Sequence, residues 1–157
     1  MTMRQIHIAT LCLAVATITT ALASQYIGGL EPCDLCYKQR WPYYFAIPCL
    51  ALALRPHFAR PLIALALFSF AIGAAVAAYH AGVEYGWWQG PTGCTGHGMM
   101  MGFESLEQAL QEPVIRCDQP AFTLFGVSMA GYNFFVSVIL TAMTAGLLRS
   151  IVRAKAD

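Results

Sequence analysis

The chain has 157 residues, of which 58% are apolar and 11% charged, with a formal net charge of +1. A soluble domain carries about a quarter charged residues, so this composition excludes an ordinary water-soluble surface and reads as one integral membrane domain. No basic stripe interleaved with aromatic residues occurs, which excludes a nucleic-acid footprint.

A bilayer core of about 30 Å is crossed by about 20 apolar residues in a helix. Four stretches meet this, over about 6–26, 36–54, 62–79 and 131–148, and predict an all-α, four-helix membrane bundle. Arg4, the apolar run and Ala21-Leu22-Ala23 before Ser24 imitate a cleavable secretory signal. The run is longer than a usual signal core, so it is expected to stay as the first span.

An outer loop over about 27–35 follows, where Gly28-Gly29 and Pro32 break helix and bring Cys33-Asp34-Leu35-Cys36 to the membrane surface. The second span is strictly apolar only from Trp41 to Leu54, about 21 Å of helix. To cross, it must recruit Tyr37, Lys38, Gln39 and Arg40, which sets Lys38 snorkelling outward and Arg40 at the headgroup boundary. Pro48 predicts a kink, and Arg55-Pro56 ends the segment. Cys12 and Cys49 lie inside spans, where cysteine is a small apolar filler.

The third span ends at Tyr79-His80 and opens a second outer loop over about 81–130. Trp87-Trp88 suits the interface. Phe103 to Leu110 has apolar residues at helical spacing, predicting a short amphipathic helix on the bilayer that ends near Pro113. His97 beside Met99-Met100-Met101 offers soft metal ligands, but a membrane-dipping loop accounts for the methionines equally, and no metal is expected. A four-cysteine zinc centre is disfavoured because the outer cysteines of the second loop lack tight ligand spacing.

Arg4, Arg55, Arg60, Arg149, Arg153 and Lys155 flank the spans on one side; Lys38, Arg40, Arg116 and seven of the eight acids lie on the other. The positive-inside rule therefore puts both termini in the cytoplasm. Cys33, Cys36, Cys94 and Cys117 then face outward, and an even set in an oxidising compartment reads as two disulfides. A CxxC pair can store two electrons, and Arg40, one turn beyond Cys36, would share its helix face. A helix N-terminus and Arg40 together are expected to lower the pKa of Cys36. On residues alone, Arg40 also reads as an interfacial anchor, and His80 as a helix cap or headgroup contact.

The run from Pro32 to Tyr43 (PCDLCYKQRWPY), the four spans and a second outer cysteine pair resemble the DsbB family of disulfide-forming membrane oxidoreductases. The resemblance extends over Tyr79-His80, Cys94, Cys117 and Phe125-Gly126, nearly the whole chain. It implies a multi-pass protein of the bacterial inner membrane with its active cysteines in the periplasm. It also implies redox disulfides Cys33–Cys36 and Cys94–Cys117, with Cys94 taking the mixed disulfide from a DsbA-like thioredoxin-fold partner. Electrons would pass through Cys33–Cys36 to ubiquinone or menaquinone, with Cys36 facing the quinone ring, Arg40 bonding a quinone oxygen and His80 lining the same site. The competing reading is a non-catalytic, disulfide-stapled membrane protein that binds a partner through the long loop.

Overall fold

The computed structural model of the protein describes residues 2–91 and 116–154. Four long helices form within them: α1 over Met3–Tyr26, α2 over Asp34–Leu52, α3 over Ala59–Glu84 and α4 over Met129–Arg153. A 3-10 turn at Pro56–Phe58 joins α2 to α3. The expected amphipathic helix over 103–110 and Cys94 lie outside the described residues, as do His97 and the adjoining methionines.

Each helix starts where the sequence supplies an acceptor for the otherwise unpaired first N–H groups. Thr2 and Gln5 form a reciprocal capping box on α1, Cys33 accepts from the Cys36 amide at α2, and Ser128 accepts from the Gly131 amide at α4. α1, α3 and α4 are long and apolar enough to cross a membrane. α2 is shorter at 19 residues and spends its first turns on Asp34, Lys38, Gln39 and Arg40, in line with the length argument above. It runs on through Pro42 and Pro48.

The bundle core is assembled from all four helices and includes Ala14, Tyr43, Leu50, Ile63, Phe70 and Leu140. α3 packs chiefly against α4 and α2. Gly73 of α3 makes that approach possible, because a Cβ there would stand 3.2 Å from Pro42 Cβ. At the far end His7 Nε2 meets the Leu50 carbonyl at 2.9 Å, tying α1 to α2.

Trp41, Phe45, Leu65, Phe68, Phe135 and Ile139 point outward. In each of the three long helices, no more than 28% of the most apolar window is buried within the protein. Helices that are apolar on their outer faces too suit lipid rather than water. The protein is an integral membrane protein.

Two boundaries differ from the sequence reading in ways that matter for the site. α3 does not stop at Tyr79 but continues to Glu84, which carries His80 and Glu84 inward instead of leaving them in a loop. Before α4, Thr123–Leu124 and Val127–Ser128 form a small antiparallel hairpin within the segment read as loop. Its turn places Phe125 at φ 50° and Gly126 at φ 78°, the paired positive values that a two-residue hairpin turn demands.

Candidate active site

Cys33 stands at the N-terminus of α2, so its sulfur both caps the helix and meets the dipole's positive end. Its Sγ accepts from the Cys36 amide at 3.3 Å and lies 2.9 Å from Cys36 Sγ. Both are free cysteines. The hydrogen bond between the two sulfurs, with the neighbouring His80, holds Cys33 well below the ordinary thiol range, at about 4. Thiolate character thus falls on Cys33, not on Cys36 as the sequence suggested. The reason is local: the capping position faces the helix amides, whereas Cys36 lies inside the first turn.

His80 is 1% exposed. Its Nε2 lies 3.5 Å from Cys33 Sγ and 3.7 Å from Glu84 Oε1. The second Glu84 oxygen accepts from Ser128 Oγ, so the cap of α4 also fixes the carboxylate. His80 is neither a helix cap nor a headgroup contact. It belongs to the dithiol.

Arg40 is also buried, but it turns toward α1. Its Nη1 donates to Gln25 Oε1 at 2.5 Å and its Nη2 to the Ala21 carbonyl at 3.3 Å. Its guanidinium lies 5.2 Å from the centre of the Tyr37 ring. A guanidinium has five N–H groups, and these two bonds leave others for a ligand at the α1–α2 seam.

A pocket of about 220 Å³ opens on this end of the bundle. Glu31, Cys33, Cys36, His80 and Glu84 line it together with Arg116 and residues 119–121. Cys117 follows Arg116 in the chain; it is disulfide-bonded and packs in one apolar cluster with Cys33, Cys36, Leu35 and Val83. The structure therefore brings Cys33, Cys36, His80 and Cys117 together, with Arg40 one helical turn away on a different seam.

Ligand atoms of Cys33, Cys36 and His80 all lie within 4.8 Å of one another, close enough to invite a metal. The sulfurs at 2.9 Å are tighter than the ~3.7 Å that two ligands keep around tetrahedral zinc with bonds of about 2.3 Å.

Several site residues escaped the sequence reading: Glu84, Gln39, Asn133, Tyr43, Ser128 and Ser137. A signal existed. His80 and Glu84 stand one turn apart on α3, as do Asn133 and Ser137 on α4, and polar side chains at that spacing on a span point at one partner.

Residues 3–147 match the family described as "Disulfide bond formation protein DsbB". The chain belongs to the DsbB family. Among curated relatives, it is 27% identical over 141 residues to "Uncharacterized protein RP370" of Rickettsia prowazekii (strain Madrid E), covering 86% of this chain and 81% of that one. No solved structure matches significantly. Membership in the DsbB family makes this a disulfide-bond-forming membrane protein.

Proposed function

We propose that the protein is a thiol:quinone oxidoreductase of the bacterial inner membrane that reoxidises a DsbA-like thioredoxin-fold partner. Both termini are cytoplasmic in this reading, and the two cysteine pairs are periplasmic. The observation that carries it is the cluster of Cys117 with the reduced Cys33–Cys36 pair beside an open pocket.

The partner's thiolate attacks the Cys94–Cys117 bridge, with Cys94 as the site of the mixed disulfide. Two electrons then reach Cys33–Cys36 by exchange, since a thiolate at one pair can attack the bridge of the other. Cys33 is the sulfur already poised as thiolate. Closing the Cys33–Cys36 bridge releases those two electrons and the single proton carried by Cys36, and the second proton of the quinol comes from water. When bound, ubiquinone or menaquinone accepts both electrons. Cys36, which is only half-buried, and the unused N–H groups of Arg40 are the residues that would hold its ring and oxygens. His80 keeps the Cys33 side of the dithiol charged and screened from lipid.

The test uses the purified full-length chain, a reduced DsbA-like protein and a short-chain ubiquinone, with quinol formation followed by absorbance. Cys33→Ser and Cys36→Ser should abolish turnover. Turnover at the unmodified rate in either variant would overturn the relay and leave a stapled, non-catalytic protein as the better account.

A further inference from the structure

Behind His80 a chain of buried side chains crosses the bundle. Gln39 Nε2 meets His80 Nδ1 at 2.5 Å, Asn133 Nδ2 donates to Gln39 Oε1 at 2.5 Å, Tyr43 OH donates to Asn133 Oδ1 at 2.6 Å, and Ser137 Oγ meets Tyr43 OH at 3.0 Å. It links α4 to α2, back to α4, to α2 again and finally to α3. No buried side-chain nitrogen or oxygen among the described residues lacks a partner, so every link is occupied.

Such a chain has only two self-consistent polarities. Each amide presents an acceptor on one side and donors on the other, so turning one amide over obliges its neighbour to turn. The His80 end selects between them. Its Nε2 faces two acceptors, the Cys33 sulfur and the Glu84 carboxylate, and a hydrogen on Nε2 satisfies both. Nδ1 must then accept, which requires the Gln39 NH2 to point at it. Its carbonyl is thereby left for Asn133 Nδ2, and Asn133 Oδ1 for Tyr43.

We propose that Gln39 and Asn133 are positioning residues that lock His80 in the Nε2–H tautomer, making its ring a fixed hydrogen-bond donor to the Cys33 thiolate. Asn133 acts through Gln39 and touches neither sulfur nor imidazole. The inference rests on the relay reading for its purpose, but its geometry stands without it.

The experiment uses the full-length, reduced protein labelled with 15N-histidine, with the His80 signals identified by their loss in His80→Gln. Wild type should show a hydrogen-bearing Nε2 and a bare Nδ1. Asn133→Asp presents only acceptors at that link, so Gln39 must turn over; the His80 signals should exchange assignment, and the pH midpoint of iodoacetamide labelling of Cys33 should rise by about one unit, with the rate at neutral pH nearly unchanged. Should Asn133→Asp fail to fold, Gln39→Met removes the donor and should leave the two nitrogens averaged between tautomers. A hydrogen on Nδ1 in wild type, or a His80 spectrum indifferent to both variants, would overturn the proposal. Correct tautomer signals in a wild-type protein that passes no electrons to quinone would instead sink the relay and leave the lock standing.

Discussion

Cys33 Sγ and His80 Nε2 lie 3.5 Å apart although 47 residues separate them in the chain. The contact joins the N-cap of one helix to the last turn but one of another, and it turns a CxxC motif into a polarised pair with one charged and one protonated sulfur.

That polarity sets a pH profile. Cys33 moves from an ordinary value of 9.0 down to about 4 in the folded protein. Its alkylation rate should stay nearly flat from pH 8 to about 5 and fall below about 4, where an ordinary thiol loses about tenfold per pH unit below its own pKa. The linked stability has the same sign. A depressed pKa stabilises the fold fully above pH 9, progressively less as pH falls, and not at all below about 4. Quenched iodoacetamide labelling of Cys33 across this range, with Cys36 replaced by Ala as a comparison, measures it. Cys36→Ala should push the midpoint upward, because the hydrogen bond with the Cys36 thiol is the largest cause of the shift.

Arg40 has two duties in the account above, one to α1 and one to a quinone. Arg40→Leu removes the bonds to Gln25 and Ala21 and should lower stability by about 1–3 kcal/mol, the usual result of stranding a buried partner. Thermal unfolding in detergent reads that loss. Quinone titration should show a raised apparent KM with Cys33 labelling unchanged; an unaltered KM would confine Arg40 to holding α1 against α2.

Gly82 is set by a ring. A Cβ there would come within 2.1 Å of the Trp88 indole, which stacks on Tyr79 at 6.0 Å and donates from Nε1 to the Tyr79 carbonyl at 2.8 Å. Gly82→Ala should eject Trp88 and cost about 1–3 kcal/mol. Tryptophan fluorescence should shift and the Trp88 indole N–H resonance should move; silence in both would mean that α3 yields instead of the ring.

Phe125 holds a left-handed backbone, φ 50°, with its ring 92% exposed. That conformation suits Asn or Gly far better than an aromatic residue. Phe125→Asn should raise stability in detergent by about 0.5–1 kcal/mol. A fall in stability on moving the variant into lipid bilayers, relative to the parent, would show that the ring is retained as a membrane contact.

The spans were legible because hydrophobicity at membrane length depends only on local composition, and the boundaries moved by a few residues at most ends. α2 was legible for a subtler reason: its apolar run is too short, and the structure indeed opens the helix on polar residues. Cys33 and Cys36 were visible from their spacing. The end of α3 was misread because His80 and Glu84 look like loop residues until a partner for them is known, and helix boundaries are the weakest part of any pattern reading. Arg40 was expected in the opening turns of the second helix, where it lies, but its direction was not legible, since a four-residue spacing aligns it with Cys36 without saying whether α1 or a ligand receives its fork.

By itself the sequence determined that this chain lives in a bilayer, that a CxxC pair opens its second helix, and that a cation follows that pair one turn on. Those are properties of short windows, and short windows are local. Which sulfur carries the charge, that His80 belongs to it, and that Gln39, Asn133, Tyr43 and Ser137 line up behind the ring were decided only by packing three helices together. Burial obliges each polar atom to find a partner on another helix, and no local pattern names that partner.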